Sequence, residues 1–143
     1  VDKLVATVCQ IGCGMIGKVM ALDISKKHDL HLSDIDQSSL SEIKALDPTI
    51  NTKCFNFNDI DVLKSFLEPA DIVIALLTGR DVDSGTAAEI GYAYKAGKRL
   101  IGISANTIKP INNFVWGIFS YGKDIVENLD DLKTLLEKEF GAT

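Results

Sequence analysis

The sequence is poor in the features that mark several large functional classes. It has no long apolar run: stretches such as Ile72–Leu77 are far too short to span a bilayer, and nothing at the amino terminus resembles a signal peptide. A soluble, cytoplasmic protein without a membrane partner is expected. Basic clusters are also missing. Fifteen Lys and Arg stand against 20 Asp and Glu, for a net charge of -5, so the surface repels phosphate backbones and no nucleic-acid partner is expected. The three cysteines, Cys9, Cys13 and Cys54, are odd in number and fit neither a zinc spacing nor a disulfide framework. They are read as buried free thiols, with no metal site. His28 and His31 flank a helix–strand turn and lack a triad partner. Ser/Gly-rich linkers, internal repeats and low-complexity stretches are absent.

What remains is an alternation of two kinds of segment. Short β-branched runs cover Leu4–Ile11, Leu30–Ile35, Thr52–Phe57, Asp71–Leu77 and Leu100–Ser104, with a short sixth at about Asp124–Val126. Between them, helical periodicity covers Met15–Lys27, Ser38–Leu46, Asp59–Leu67, Thr86–Ala96 and Leu129–Phe140. Apolar strands alternating with amphipathic helices predict βαβ units and a parallel sheet covered on both faces. Gly97 is placed to end the fourth helix in a left-handed cap, and Asn128 to cap the last, with Asp131 as its partner. The expectation is one α/β domain over residues 1–143: three layers, doubly wound and Rossmann-like, with strand order 3-2-1-4-5-6. A chain of this length buries roughly 68% of its unfolded surface, enough for a core of its own.

The first strand leads into Gly12-Cys13-Gly14-Met15-Ile16-Gly17, which fits G-x-G-x-x-G between a strand and a helix. Gly12 permits a tight turn, Gly14 admits a pyrophosphate to the backbone, and Gly17 lets the helix approach the strand. Met15 and Ile16 contribute amides at the positive end of the helix. Asp34, at the end of the second strand, is placed to accept from a ribose diol, which favours NAD over NADP. On this stretch and on Asp34-Ile35-Asp36, residues 1 to about 70 resemble the amino-terminal unit of saccharopine and lysine dehydrogenase-like proteins. That resemblance implies a possible NAD site. Hydride transfer also needs a substrate-binding part, so dehydrogenase activity is not expected here.

From Ala70 onward the chain resembles nucleoside 2-deoxyribosyltransferases, on Asp83-Ser84-Gly85-Thr86-Ala87-Ala88-Glu89-Ile90-Gly91-Tyr92-Ala93 and on Ile111-Asn112-Asn113-Phe114-Val115-Trp116-Gly117. The resemblance implies a flavodoxin-like fold in which Glu89 is the nucleophile at the anomeric carbon. It further implies that Asp83 binds or orients the sugar and Glu89, and that Gly85 and Asn112 belong to the substrate site. Glu89 is expected in the first turn of the fourth helix; Asp83 or Ser84 can equally serve only to cap it. Tyr94, Phe114 and Trp116 are expected to pack in the core or an interface. Two departures stand out. Thr78 occupies a position where the family carries an Asp, and the Gly12–Gly17 turn replaces an aromatic first-strand end.

Two resemblances in one domain suggest an engineered chimera joined near Pro69–Ala75, a scaffold of 1–70 and 71–143 without evolved activity that requires no cofactor. The alternatives are a nucleotide, phosphate or NAD binder at Gly12–Gly17, and a residual deoxyribosyltransferase or hydrolase using Glu89. A small nucleotide or nucleoside is the expected partner, on a monomer or homodimer.

Overall fold

A computed structural model describes residues 6–56, 59–77, 84–104 and 113–141. Six strands form one sheet: β1 (Thr7–Ile11), β2 (Asp29–Asp34), β3 (Asn51–Cys54), β4 (Ile72–Leu76), β5 (Arg99–Ile103) and β6 (Ile125–Val126). Their order is β3-β2-β1-β4-β5-β6, and every pairing is parallel. The expected fold class and strand order are both observed. In register, Val8 lies between Leu30 and Ile72, so β1 is central.

Among the described residues six helices cover the sheet: α1 (Met15–Ile24), α2 (Gln37–Leu46), α3 (Ile60–Leu67), α4 (Ser84–Lys95), α5 (Asn113–Ile118) and α6 (Leu129–Phe140). Two apolar clusters place them. Met20, Ile24, Leu40, Ile43, Leu132 and Leu136 pack with Val8, Leu32 and Ile74, which sets α1, α2 and α6 on one face. Leu63, Phe66, Ile90, Ala93, Val115 and Phe119 pack with Cys9, Val73 and Ala75, which sets α3, α4 and α5 on the other. The chain changes face between β1 and β4. In an open parallel sheet the ligand crevice lies at the carboxyl ends of the strands where that change occurs.

The helix ends obey local chemistry. Asp36 accepts from the Ser38 amide at 2.9 Å, Asp59 from Val62 at 3.1 Å and Asn128 from Asp131 at 2.8 Å, each satisfying an amide that the helix leaves open. Asn128 Nδ2 also donates to Asp131 Oδ2, the expected partnership. After α4, Gly97 takes φ 74°; its amide donates to Tyr94 O and that of Lys98 to Ala93 O, the paired bonds of a Schellman cap.

Several expectations need correction. Helix α1 ends at Ile24, not Lys27, because Ser25–Lys27 form a turn in which Lys27 and His28 amides both donate to Ile24 O. His31 lies within β2 rather than beside a turn, and its Nε2 sits 3.3 Å from Asp29 Oδ2. Strand β3 stops at Cys54, and Cys54 is exposed; only Cys9 and Cys13 are buried thiols. The helix α5 was not foreseen. Tyr94, Phe114 and Trp116 are exposed, so none is a core residue.

Candidate functional site

The turn after β1 is built from backbone, and its glycines divide the work. Gly12 adopts φ 99°, a conformation that L side chains rarely take, and its amide donates to Ser33 O at 2.9 Å. Gly17 could not carry a side chain: a Cβ there would lie 2.8 Å from Gly12 O and 3.0 Å from Leu76 Cδ1. Gly14 is the opposite case, since a Cβ there would meet nothing within 4 Å among the described residues. As N-cap it opens α1 with extended backbone (φ −65°, ψ −171°) and has no side chain to cap the helix. The first turn of α1 carries no acidic residue, and Met15 is 89% exposed. Among the described residues, nothing covers the Gly14 end of α1, where its first amides and positive dipole end lie.

The flank of the turn is tied to β2. Asp34 Oδ2 accepts from the Cys13 amide at 2.7 Å, and Asp34 Oδ1 from the Asp36 amide at 2.8 Å. The expected ribose acceptor is thus already engaged as a brace, although each oxygen keeps a second lone pair. Asp36 in turn accepts from Ser38 and Ser39, and these bonds hold its carboxyl below the usual carboxylate range. Cys13 is no nucleophile: burial, with Asp34 nearby, raises its thiol to about 11. Burial likewise raises Cys9 to about 12. Lys18, the first cation on α1, pairs with Glu42.

On the other side of the β1–β4 pair stands α4. Glu89 is fully buried there, beside Ile90 and Ala93, which pack on the sheet. It is the sixth residue of a helix that begins at Ser84, so it lies in the second turn and not the first. The dipole acts mainly within the first turn, so Glu89 lies beyond its main reach. Gly85, the second residue of α4, is half-buried. Asp83, Asn112 and Thr78 lie outside the described residues.

The structure thus gathers Gly12, Gly14, Met15, Ile16, Gly17 and Asp34 at one turn, with Glu89 and Gly85 on the helix after the neighbouring strand. Two contributors were not singled out from sequence. Leu76, the last residue of β4, fills the notch that Gly12 and Gly17 leave open. Gln10 lies beneath the turn, and its Nε2 donates to both Gly12 O and Gly17 O. The signal for Gln10 was present: one amide side chain inside the apolar run Val8–Ile11.

Among the described residues no group of His, Cys, Asp and Glu could hold a metal ion, and no helix is long and apolar enough to cross a membrane. A cleft of about 320 Å³ between α1 and α6, lined by Met20, Ile24, Leu129 and Leu136, lies apart from the turn.

Comparison with known proteins adds a family. The model for nucleoside 2-deoxyribosyltransferases matches residues 29–131, over two thirds of the chain. That span crosses the expected seam at Pro69–Ala75 and reaches back to the start of β2. No curated protein matches the sequence. Among solved structures, similar folds include a conserved protein from Enterococcus faecalis V583, at TM-score 0.58 and 16% identity, covering 94% of this chain and 98% of that one. The TrkA-N domain of the inner membrane protein ybaL from Escherichia coli aligns at TM-score 0.61 and 14% identity, covering 96% and 98%. A short-chain dehydrogenase/reductase from Veillonella parvula DSM 2008, in complex with NADP, aligns at TM-score 0.54 and 15% identity; the match covers 69% of this chain and 47% of that one. These likenesses establish a Rossmann-like fold. By the family match, the chain belongs to the nucleoside 2-deoxyribosyltransferase family.

Proposed function

We propose that the chain binds a nucleoside 5′-phosphate across the carboxyl ends of β1 and β4, with the phosphate on the amides of Gly14, Met15 and Ile16. The observation that carries this reading is the amino end of α1: a glycine N-cap with nothing within 4 Å of its Cβ position among the described residues, and no acidic residue in the first turn. Such an end attracts a compact dianion. Family membership supports the nucleoside half of the ligand. NAD fits less well, because its ribose hydroxyls would share Asp34 with two backbone amides that already use it. No cofactor is needed for the reading.

The buried carboxylate on α4 favours a second reading, in which binding leads to glycosyl transfer. One Glu89 oxygen attacks C1′ of a 2-deoxyribonucleoside unit as the C1′–N bond breaks, and the base leaves with the bonding pair and gains a proton. Water or a second base then attacks C1′ and releases the carboxylate. Asp83, Gly85 and Asn112 would hold the sugar. Thr78 replaces the carboxyl that would assist the base, so slow turnover is expected.

Chromatography of 2′-deoxynucleosides and their 5′-monophosphates with a second free base tests the chemistry, beside Glu89→Ala. Base release or exchange that vanishes in the variant supports it. No turnover from a folded chain that still binds the nucleotide leaves the binding reading alone. Neither binding nor turnover would leave an engineered chimeric scaffold.

A further inference from the structure

Gln10 is out of character with its surroundings. It pairs in register with Leu32 and Ile74, and the residues around it on this face of the sheet are buried and apolar. Gln10 itself has no exposed surface. Its Nε2 donates to Gly12 O at 2.9 Å and to Gly17 O at 2.8 Å, while its Oε1 is buried with no hydrogen-bond partner among the described residues. A buried carboxamide with an open acceptor destabilises a fold, and an apolar side chain of the same size would not.

What the amide supplies is geometry. It joins the carbonyls of the first and last glycines of the turn, one at the exit of β1 and one on the third residue of α1. Leu76 fills the notch beside the same two glycines, and Asp34 holds Cys13 from the side. The segment between them, Gly14 to Ile16, is thereby held from beneath and from the side, and among the described residues nothing lies within 4 Å of the Gly14 Cβ position.

We infer that Gln10 is the positioning residue of the phosphate site: it holds Gly12 and Gly17 at the spacing that aims the amides of residues 14–16 at one anion, without touching the ligand. The inference rests on reading the turn as a phosphate site, and it acts only through that turn.

Two substitutions test it. Gln10→Met fills the same volume and donates nothing. Gln10→Glu places a carboxyl against two carbonyl oxygens; protonated it donates one bond, ionised it donates none. In calorimetry with 2′-deoxyadenosine 5′-monophosphate, Gln10→Met should bind about tenfold more weakly than wild type, roughly 1.4 kcal/mol, with affinity for 2′-deoxyadenosine unchanged. Relative to wild type at each pH, Gln10→Glu should bind well at pH 5 and progressively worse toward pH 8, a trend that loss of packing would not produce. In the free protein, amide exchange at residues 13–16 should quicken in Gln10→Met. If wild type binds no nucleotide, the phosphate reading falls and the inference with it; quickened exchange in Gln10→Met would then show only that Gln10 stiffens the turn. Wild-type exchange in folded Gln10→Met, or a flat pH ratio in Gln10→Glu, would overturn the inference.

Discussion

The turn after β1 and the helix after β4 flank the same strand pair, yet they are organised in opposite ways. Around the turn, side chains serve the backbone: Gln10, Leu76 and Asp34 all hold peptide groups in place, and the outer surface is left to amides. On α4 the backbone serves a side chain. A regular helix with an ordinary glycine cap places the Glu89 carboxylate inside the protein, away from solvent. The difference teaches where substitutions will act. At the turn, changes to Gln10, Leu76 or Asp34 are expected to act through backbone geometry. At α4, a change to Glu89 is expected to remove a chemical group from a regular helix.

Glycine substitutions should expose this contrast most strongly. Gly17→Ala puts a methyl group 2.8 Å from Gly12 O, so thermal or urea unfolding should show a loss of about 1–3 kcal/mol. Gly91→Ala on α4 meets nothing within 4 Å among the described residues, and helix propensity predicts a gain of roughly 0.5–1 kcal/mol. Equal effects of the two would break the comparison.

A smaller loss is expected from Asp34→Ala, which leaves the Cys13 and Asp36 amides without their acceptor. Urea unfolding should register about 1–2 kcal/mol, together with weaker nucleotide binding. Retained affinity with lost stability would show that the brace does not shape the site.

Smaller again is a pH effect beyond the far end of α1. His28 is buried with Nδ1 unpartnered among the described residues, and burial, with Lys27 nearby, lowers its pKa. The unfolded chain then takes up a proton first as pH falls below about 6.5. Stability from this group is complete above that pH and lost below it, by no more than about 1.4 kcal/mol per pH unit. Urea midpoints between pH 7.5 and 5 should fall in wild type and flatten in His28→Phe.

Much of this was legible in the sequence, for reasons that differ by residue. The succession of strands and helices follows from where β-branched runs meet helical periods, and the strand order β3-β2-β1-β4-β5-β6 from the doubly wound topology that succession implies. Gly12, Gly14 and Gly17 were legible because their spacing encodes a turn, and Asn128 because capping is local chemistry. Helix α5 was hidden: it spans six residues, exposes Phe114, and only Val115 within it is buried. Asp34 was placed correctly at the end of β2, but its bonds to the Cys13 and Asp36 amides were hidden, since sequence does not show which backbone amides face a carboxylate. The lone amide of Gln10 in an apolar strand was visible, but its bonds were not, because sequence does not show which carbonyls converge on a side chain beneath a turn.

The central claim is that the open end of α1 is a phosphate site for a nucleoside ligand. The most direct measurement is calorimetric titration with 2′-deoxyadenosine 5′-monophosphate and with 2′-deoxyadenosine, on wild type and on Gly14→Phe, whose side chain would project into open space over the turn. The account predicts that the phosphate raises affinity at least about tenfold in wild type and that this gain disappears in a fully folded Gly14→Phe. Equal affinity for the two ligands in wild type, or a phosphate preference that survives in Gly14→Phe, would contradict it.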